Sequence, residues 1–443
     1  MSPRATIALA LGLVLPSLAA PARARAEAAP ADTAFHGFLH TLADSTDRYF
    51  GMSAEPLDTT GLDEENAGEE QGARRIRFSF IPLFDFSRVD GSTFGASARI
   101  RGPRGLGELD LGAAYAVGAE RLLGSGALRF ARLRPTRRSS LEIRGGRSLA
   151  GMNRDYRERV LDPARALSTG SDRAHYLRHD GWGASVEHGN RADTWRAGLG
   201  FRDELESPLA TESAWDLFHR KLVVKPNLAA TFGRVREVTL SGGARLPLVP
   251  LSLEGTWSSA GPGIGSDLAY DRVRIAAGGE IPLGRFASLL PQAAWGTIHG
   301  DRPPQESFFL GAGPTLVSVP RDALGGASFA IAKLDLVQAG DLLRLLHLPH
   351  PAALVLQGGL FAATAAVGGA DPYGGPARPG DDFPDRREWR TEAGASLRYD
   401  PGVFGAALVL KEAWPLGPTR RGERFEFMVS HPLDLMRRPR SED

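Results

Sequence analysis

Apolar and polar residues alternate in many short segments after residue 74, and this pattern limits the fold more than any other feature. Clear examples are Phe78-Ser79-Phe80, Leu109-Asp110-Leu111 and Val273-Arg274-Ile275. A period of two is typical of β-strands whose two faces meet different surroundings. In a soluble sandwich the charged face would meet water, whereas in an outer-membrane barrel the apolar face would meet lipid and the charged face the lumen. The alternation therefore indicates an all-β fold and leaves both architectures open.

The lengths of the connections between these segments favour a barrel. Sixteen segments with strand character can be counted, and an even number suits closure. Connections after even-numbered segments are mostly short, such as 102–106, whereas several after odd-numbered segments are long, such as 150–180. The long connection 337–350 is an exception on the short side. We predict a transmembrane antiparallel β-barrel of 16 strands over residues 74–433, or of 12–14 strands if hairpins have been miscounted.

One connection, Ser307–Gly326, is too apolar for a solvated loop and too rich in glycine and proline for a strand. Its glycines allow positive-φ turns, and its two prolines stiffen the path between them. We predict that this segment folds inward, into the lumen. The residues that we assign to this lumenal loop are Phe308, Phe309, Gly311, Gly313, Thr315, Leu316, Val317, Ser318, Val319, Arg321, Asp322, Gly325 and Gly326.

The order of residues in this loop resembles the lumenal loop of BamA-type outer-membrane barrels, the bacterial surface antigen superfamily. The resemblance lies in the two phenylalanines before a glycine-rich turn, the Thr315-Leu316 pair, and a second glycine-rich turn that enters a strand. Family members usually carry Arg-Gly-aromatic where this chain has Val317-Ser318-Val319. The resemblance implies a sixteen-stranded barrel that builds or transports outer-membrane proteins. Such proteins normally carry periplasmic transport-associated domains that are longer than segment 27–73, so we expect a branch without them.

Three further stretches are similar to one branch of surface-antigen-like barrels. Segment 172–181 resembles that branch's basic, tyrosine-containing lead into a strand, and segment 225–235 resembles its run into a later strand. The third stretch resembles its opening hairpin, here formed by Phe86, Arg88, Val89, Asp90 and Gly91. Because the three occur in the family's order, the resemblance extends over most of the chain after Arg74.

The polar faces of the segments would gather arginines and carboxylates in one lumen, where opposite charges must pair or stay hydrated. We hypothesise that Arg321, on the loop, partly replaces the missing family arginine by pairing with a lumenal carboxylate such as Glu392. Arg390 and Arg398, on the same segment as Glu392, are predicted as further lumenal partners. In an open pore such arginines would select anions, whereas in a plugged barrel they would anchor the loop.

The ends of the chain differ in composition from the predicted barrel. Residues 1–26 are typical of a secretory signal peptide, with an apolar run followed by small residues. Residues 27–73 predict a periplasmic segment of one short amphipathic helix and an acidic linker, and residues 434–443 form a polar tail. The chain contains no cysteine, which fits an exported protein. We therefore expect the protein in the outer membrane.

No arrangement of residues points to an enzyme. His175 and His179 lie near Asp172 and Asp180, but histidines four apart beside acids are common on polar loops, and no serine lies in a nucleophile turn. A net charge of +1 does not suggest a nucleic-acid partner. We predict no catalytic residue, no cofactor and no metal ligand.

By resemblance, the expected function is outer-membrane biogenesis or the transport of proteins or lipids. The expected partners of a monomeric barrel are outer-membrane lipid or lipopolysaccharide, together with unfolded outer-membrane client proteins or lipoproteins. Two alternatives stay open. The protein would be a small-solute channel if the loop leaves continuous water through the lumen, and a surface-exposed structural antigen or adhesin if its function lies in connections 150–180 and 204–234.

Overall fold

The computed structural model describes a set of ranges that begins after the predicted N-terminal segment. They are residues 76–102, 107–133, 136–154, 172, 174–190, 192, 194–210, 226–246, 249–312, 315–347, 355–399, 407–416 and 424–430. The predicted signal peptide, the segment 27–73, Gly313 and the tail 434–443 lie outside these residues. Within the described ranges, the helices are too short or too polar to cross a membrane.

Most described residues lie in β-strands. The strands are β1 (Arg77–Ser87), β2 (Gly91–Arg101), β3 (Gly107–Ala116), β4 (Arg121–Leu133), β5 (Arg137–Gly151), β6 (Tyr176–Asn190), β7 (Trp195–Pro208), β8 (Gly233–Arg245), β9 (Leu251–Ala260), β10 (Tyr270–Gly279), β11 (Ile281–Leu283), β12 (Ala287–Gly300), β13 (Phe308–Leu310), β14 (Leu324–Gly326), β15 (Ser328–Gln338), β16 (Leu356–Gly368), β17 (Arg390–Tyr399), β18 (Ala407–Leu416) and β19 (Arg424–Ser430). One short α-helix, α1 (Leu342–Leu345), and 3₁₀ turns at Pro262–Ile264, Pro304–Glu306 and Arg386–Glu388 interrupt them.

The large sheet is an antiparallel meander of 17 strands, in which successive strands pair with one another. β10 and β11 lie end to end and both pair with β12, so they occupy one position in the sheet. β13 and β14 pair only with each other, as a separate two-stranded sheet inside the connection between β12 and β15. The prediction of an all-β antiparallel fold is confirmed.

The large sheet exposes apolar side chains on one face and buries charged side chains on the other, which is the reverse of a soluble protein. An apolar row crosses three neighbouring strands, where Leu199 pairs with Leu240 and Leu240 with Trp257. These side chains are 54%, 47% and 38% exposed. The other face carries buried charges, including Arg202 and Glu237 on the same strands β7 and β8. A sandwich would bury the apolar face, so this arrangement excludes it.

The long connection after β15 contains α1, which explains its unusual length. Asp341 caps this helix, because its carboxylate accepts a hydrogen bond from the Leu343 N–H at 3.1 Å. The same oxygen accepts the Leu356 N–H at 3.2 Å and so ties the start of β16 to the helix.

Candidate functional site

The connection between β12 and β15 folds into the interior, and we call residues 304–326 the inward loop. Its apolar side chains Phe308, Leu316 and Leu324 are buried in one cluster with residues of strands β8 to β16. The ring of Phe308 lies 4.6 Å from that of Phe329, and the Arg272 guanidinium lies 4.3 Å from the Phe308 centroid. The loop is therefore packed against the inner face of the sheet.

The turn at the centre of the loop is locked by its own backbone and by one hydroxyl. Gly311 has a φ of 121°, and a side chain there would collide with the Pro320 carbonyl, so only glycine suits this position. Thr315 accepts the Gly311 N–H at 2.9 Å and donates to the Ala312 carbonyl at 3.0 Å. Gly311 and Thr315 therefore form the tight turn that the composition of this segment predicted.

Glu392, on β17, holds the tip of the inward loop. Its two carboxylate oxygens accept the N–H groups of Val317 at 2.8 Å and of Ser318 at 2.7 Å, and its side chain is fully buried. Two successive backbone N–H groups match the two oxygens of one carboxylate, and such charge-assisted hydrogen bonds are strong. The loop tip therefore contacts β17 through its backbone.

The predicted pair between Arg321 and Glu392 is not formed among the described residues, where the tip N–H groups are what bind the Glu392 carboxylate. The Arg321 guanidinium instead lies 3.7 Å from its neighbour Asp322. Arg390 is exposed and Arg398 is half-buried. Within the described residues, no hydrogen bond or ion pair joins either of these two arginines to the inward loop.

The tip rests on an aromatic ring. Val317 packs with Phe361 and Ala413 in a small buried cluster. Phe361 lies across Gly394, where an added side-chain carbon would come within 2.5 Å of the ring. The Lys411 ammonium lies 4.8 Å from the centroid of the same ring and 3.4 Å from Asp335. Gly394 in β17 therefore leaves the space that the Phe361 ring needs to support Val317.

A buried ionic network, which sequence reasoning missed, anchors the start of the loop, and Arg202 is its centre. Arg202 donates to Glu206 at 2.7 Å and to both Glu237 and Glu306 at 3.0 Å. Arg154 donates to Glu306 at 2.6 Å. Burial raises the pKa of the Glu306 carboxyl against the lowering influence of Arg154 and Arg202.

The period-two row Arg202, Glu204, Glu206 on β7 was the available sequence signal for this network. His179, Glu204 and Glu206 also lie close enough together to suggest metal ligands. However, Glu206 already accepts hydrogen bonds from Arg202 and, at 3.0 Å, from Gln305. Glu204 accepts from His179 at 2.9 Å and from Arg202 at 3.1 Å. The group is therefore one hydrogen-bonded network that a cation would have to break.

The predicted opening hairpin lies at the long-loop end of the sheet. Phe86, Arg88, Val89 and Asp90 are all buried there, and Gly91 turns the chain with a φ of 67°. Arg88 contacts Asp172 and the start of β6. The structure thus brings the inward loop into contact with Glu392 and, through Phe309, with His175 near the opening hairpin. Within the described residues, Arg390 and Arg398 make no hydrogen bond or ion pair with the loop.

The fold and the loop define a class of protein, namely an antiparallel β-meander with an apolar outer face and a polar interior that the connection between β12 and β15 enters. No family model and no curated protein sequence matches this chain.

Among solved structures, the chain is similar to BamA from Haemophilus ducreyi lacking POTRA domains 1–3, with 15% identity, 87% of this chain and 80% of that chain covered, and a TM-score of 0.47. CdiB from Acinetobacter baumannii gives 11% identity, coverage of 83% and 68%, and a TM-score of 0.41. OccK11 (OpdR) from Pseudomonas aeruginosa gives 15% identity, coverage of 79% of this chain and 91% of that chain, and a TM-score of 0.31. Similarity at this level does not define an activity.

Proposed function

We propose that the meander closes into an outer-membrane β-barrel that is plugged by the inward loop and acts in outer-membrane biogenesis or in protein or lipid transport. The observation that carries the proposal is the apolar face turned outward while charges and one loop fill the interior. Lipid provides no hydrogen-bonding partner for an open strand edge, which favours closure. The sequence resemblance of the loop to BamA-type barrels supports the role in biogenesis or transport.

The packing of the loop favours this role over that of an open small-solute channel. The loop is held at its start by Arg202, along its length by the buried apolar cluster, and at its tip by Glu392. A segment fixed at three places obstructs continuous flow of water. On this proposal the partners are outer-membrane lipid and unfolded client proteins or lipoproteins.

An arginine on the outer face should test the membrane location through its depth dependence. Leu240→Arg, in the middle of the apolar row, is expected to destabilise the folded protein in lipid by about 2–4 kcal/mol, because a cation there faces hydrocarbon. Leu416→Arg, at the end of β18, is the matched control and should cost about 1 kcal/mol or less. Both leucines are about half exposed, at 47% and 51%. Denaturant titrations in phospholipid vesicles measure both values, and equal small costs would contradict a lipid-facing surface.

Removal of the protein from its own cells should test the biogenesis role. We expect purified outer membranes to contain less folded β-barrel protein, measured by heat-modifiable gel mobility, or an altered lipid composition. The wild-type gene should restore the profile, and a gene that lacks residues 315–323 of the inward loop should not. An unchanged protein and lipid profile together with a defect in solute uptake would instead support a channel.

A further inference from the structure

A second buried polar cluster, distinct from the loop contacts of Arg202 and Glu392, joins the first hairpin to the start of β6. Arg88, in the turn between β1 and β2, donates to the Asp172 carbonyl at 3.1 Å and to the Ala174 carbonyl at 2.6 Å. The Arg88 N–H donates to the Asp172 carboxylate at 3.0 Å. We call Arg88, Asp172 and His175 the hairpin latch.

Nδ1 of His175 acts in the latch as a hydrogen-bond acceptor. The Leu228 N–H donates to this nitrogen at 3.0 Å, and the Arg88 guanidinium lies 3.2 Å from it. Both neighbours are donors, since a guanidinium has no acceptor and a backbone N–H has none. Nδ1 must therefore keep its lone pair, and the ring must be neutral.

The latch also contacts the inward loop. The His175 ring lies 6.2 Å from that of Phe309 and 5.6 Å from that of Tyr373, and the latter two rings are 6.2 Å apart. The Tyr373 hydroxyl donates to the Asp322 carbonyl on the loop. Asn153 donates to the Asp322 carboxylate at 2.7 Å. His175 thus lies between the first hairpin and the loop strands β13 and β14.

We propose that the hairpin latch is a proton-sensitive lock on the inward loop, which opens when His175 takes up a proton. Protonation places an N–H on Nδ1, where two donors already point, and the contacts to Leu228 and Arg88 are lost. The contribution of the latch is therefore complete when the imidazole is neutral and disappears as the pH falls. This inference rests on the proposed plugged barrel.

The charges around His175 do not favour a second cation. Among the described residues, Arg88 and Tyr373 contact the His175 ring. The groups that act electrostatically on Arg88 beside it are Asp172, Tyr176, Asp322 and Tyr373. The Asp172 oxygens are occupied, since they accept the N–H groups of Arg88 and Ala174 and, at 3.1 Å, the Tyr176 hydroxyl. Burial already lowers the pKa of Arg88, although Asp172 opposes this. A buried imidazolium beside Arg88 is electrostatically unfavourable.

The chain has no cysteine, so a single introduced thiol can report the opening of the loop without background. Leu324→Cys places the thiol in β14, which is buried next to the latch contact at Asp322. In lipid vesicles, we expect the thiol to be protected at about pH 7.5. At about pH 5, below the ordinary histidine pKa of about 6.5, a dipyridyl disulfide should modify the thiol about tenfold faster than at about pH 7.5, after each rate is divided by that of an unfolded reference at the same pH. The thiolate is the attacking species in this exchange, and protonation of the pyridine leaving group keeps the reaction measurable in acid.

Two variants in the Leu324→Cys background identify the residue responsible. His175→Asn places an amide oxygen near Nδ1 and cannot be protonated, so protection should persist at both pH values. Arg88→Ala removes the latch and should give fast modification at both. His188→Asn, at the other end of β6 where the ring contacts Ser139 and Trp195, is the matched control and should keep the pH response, with heat-modifiable mobility as the check of folding for each variant.

Equal modification rates of the parent at both pH values would overturn the proposal, as would a full pH response in His175→Asn. If His175→Asn does not fold, a tenfold pH response retained in Arg88→Ala would overturn it as well. The thiol could also stay protected at both pH values while Leu240→Arg still costs more stability in lipid than Leu416→Arg. That result would rule out the hairpin latch as a proton-sensitive lock and would leave the proposed membrane barrel standing.

Discussion

Arg202→Ala is expected to destabilise the folded protein by about 3–5 kcal/mol, because three buried carboxylates would then share Arg154 as their one remaining cation among the described residues. Glu206, Glu237 and Glu306 are each within 3.0 Å of the Arg202 guanidinium. All three are buried. Since Glu306 belongs to the inward loop, the loss should also loosen the start of that loop. The free energy of unfolding in vesicles and the protease sensitivity of the loop measure the two effects.

Two further variants calibrate this expectation. Arg202→Lys keeps one charge but lacks the planar fork that reaches several carboxylates, so it should restore only part of the stability. Arg236→Ala removes an arginine that lies 3.1 Å from Asp203 but has a partly exposed side chain, and it should cost about 1 kcal/mol or less. Equal losses for Arg202→Ala and Arg236→Ala would contradict the role of Arg202 as the centre of a buried network.

Deletion of residues 315–323, bridged by a short Gly-Ser linker, is expected to convert a protein of little conductance into one with large, steady current steps in planar bilayers. The deleted segment contains Leu316 and Val319, which are buried in the interior cluster, and the two N–H groups that bind Glu392. Its removal should open the lumen to water and ions.

Glu392→Gln should behave as an intermediate in the same experiment. Its amide keeps one acceptor oxygen but turns an N–H₂ group toward a backbone N–H, which costs about 1–3 kcal/mol of loop anchoring. We therefore expect brief, flickering openings. Glu412→Gln is the matched control, because Glu412 lies on the outer face of the neighbouring strand, beside exposed Leu410 and Trp414. Large steady steps from the intact protein would contradict a plugged lumen.

Several features of the candidate site followed from local sequence. Gly311 was recognised as a residue of a tight inward turn, and its φ of 121° requires glycine. The burial of Phe308 and Leu316 follows from the same reasoning, since apolar residues in a glycine-rich connection need an interior to occupy. Glu392 was recognised as a carboxylate on an inward-facing strand position. Its partner was not, because the predicted ion pair with Arg321 involved side chains and the actual contact involves the backbone.

The contrast between Glu392 and Arg202 shows where sequence reasoning ends. Backbone N–H groups are the same at every residue, so nothing in the letters Val317-Ser318 indicates that they would bind a carboxylate. The Arg202 network joins residues that are 35 and 104 positions apart in the chain. Such contacts depend on the register between strands and on where the inward loop meets the sheet, and the period-two row on β7 does not specify either.

Local patterning was sufficient for the all-β architecture, the two chemically different faces and the inward course of one connection, because a strand's side chains alternate with a period of two and glycine-rich turns act over a few residues. Tertiary structure alone decided which face is exposed, which carboxylate binds the loop tip, and that Arg88 and His175 meet beside Phe309. These outcomes depend on the packing of residues that are distant in the chain, where burial and hydrogen-bond geometry select among many partners of the same chemical type.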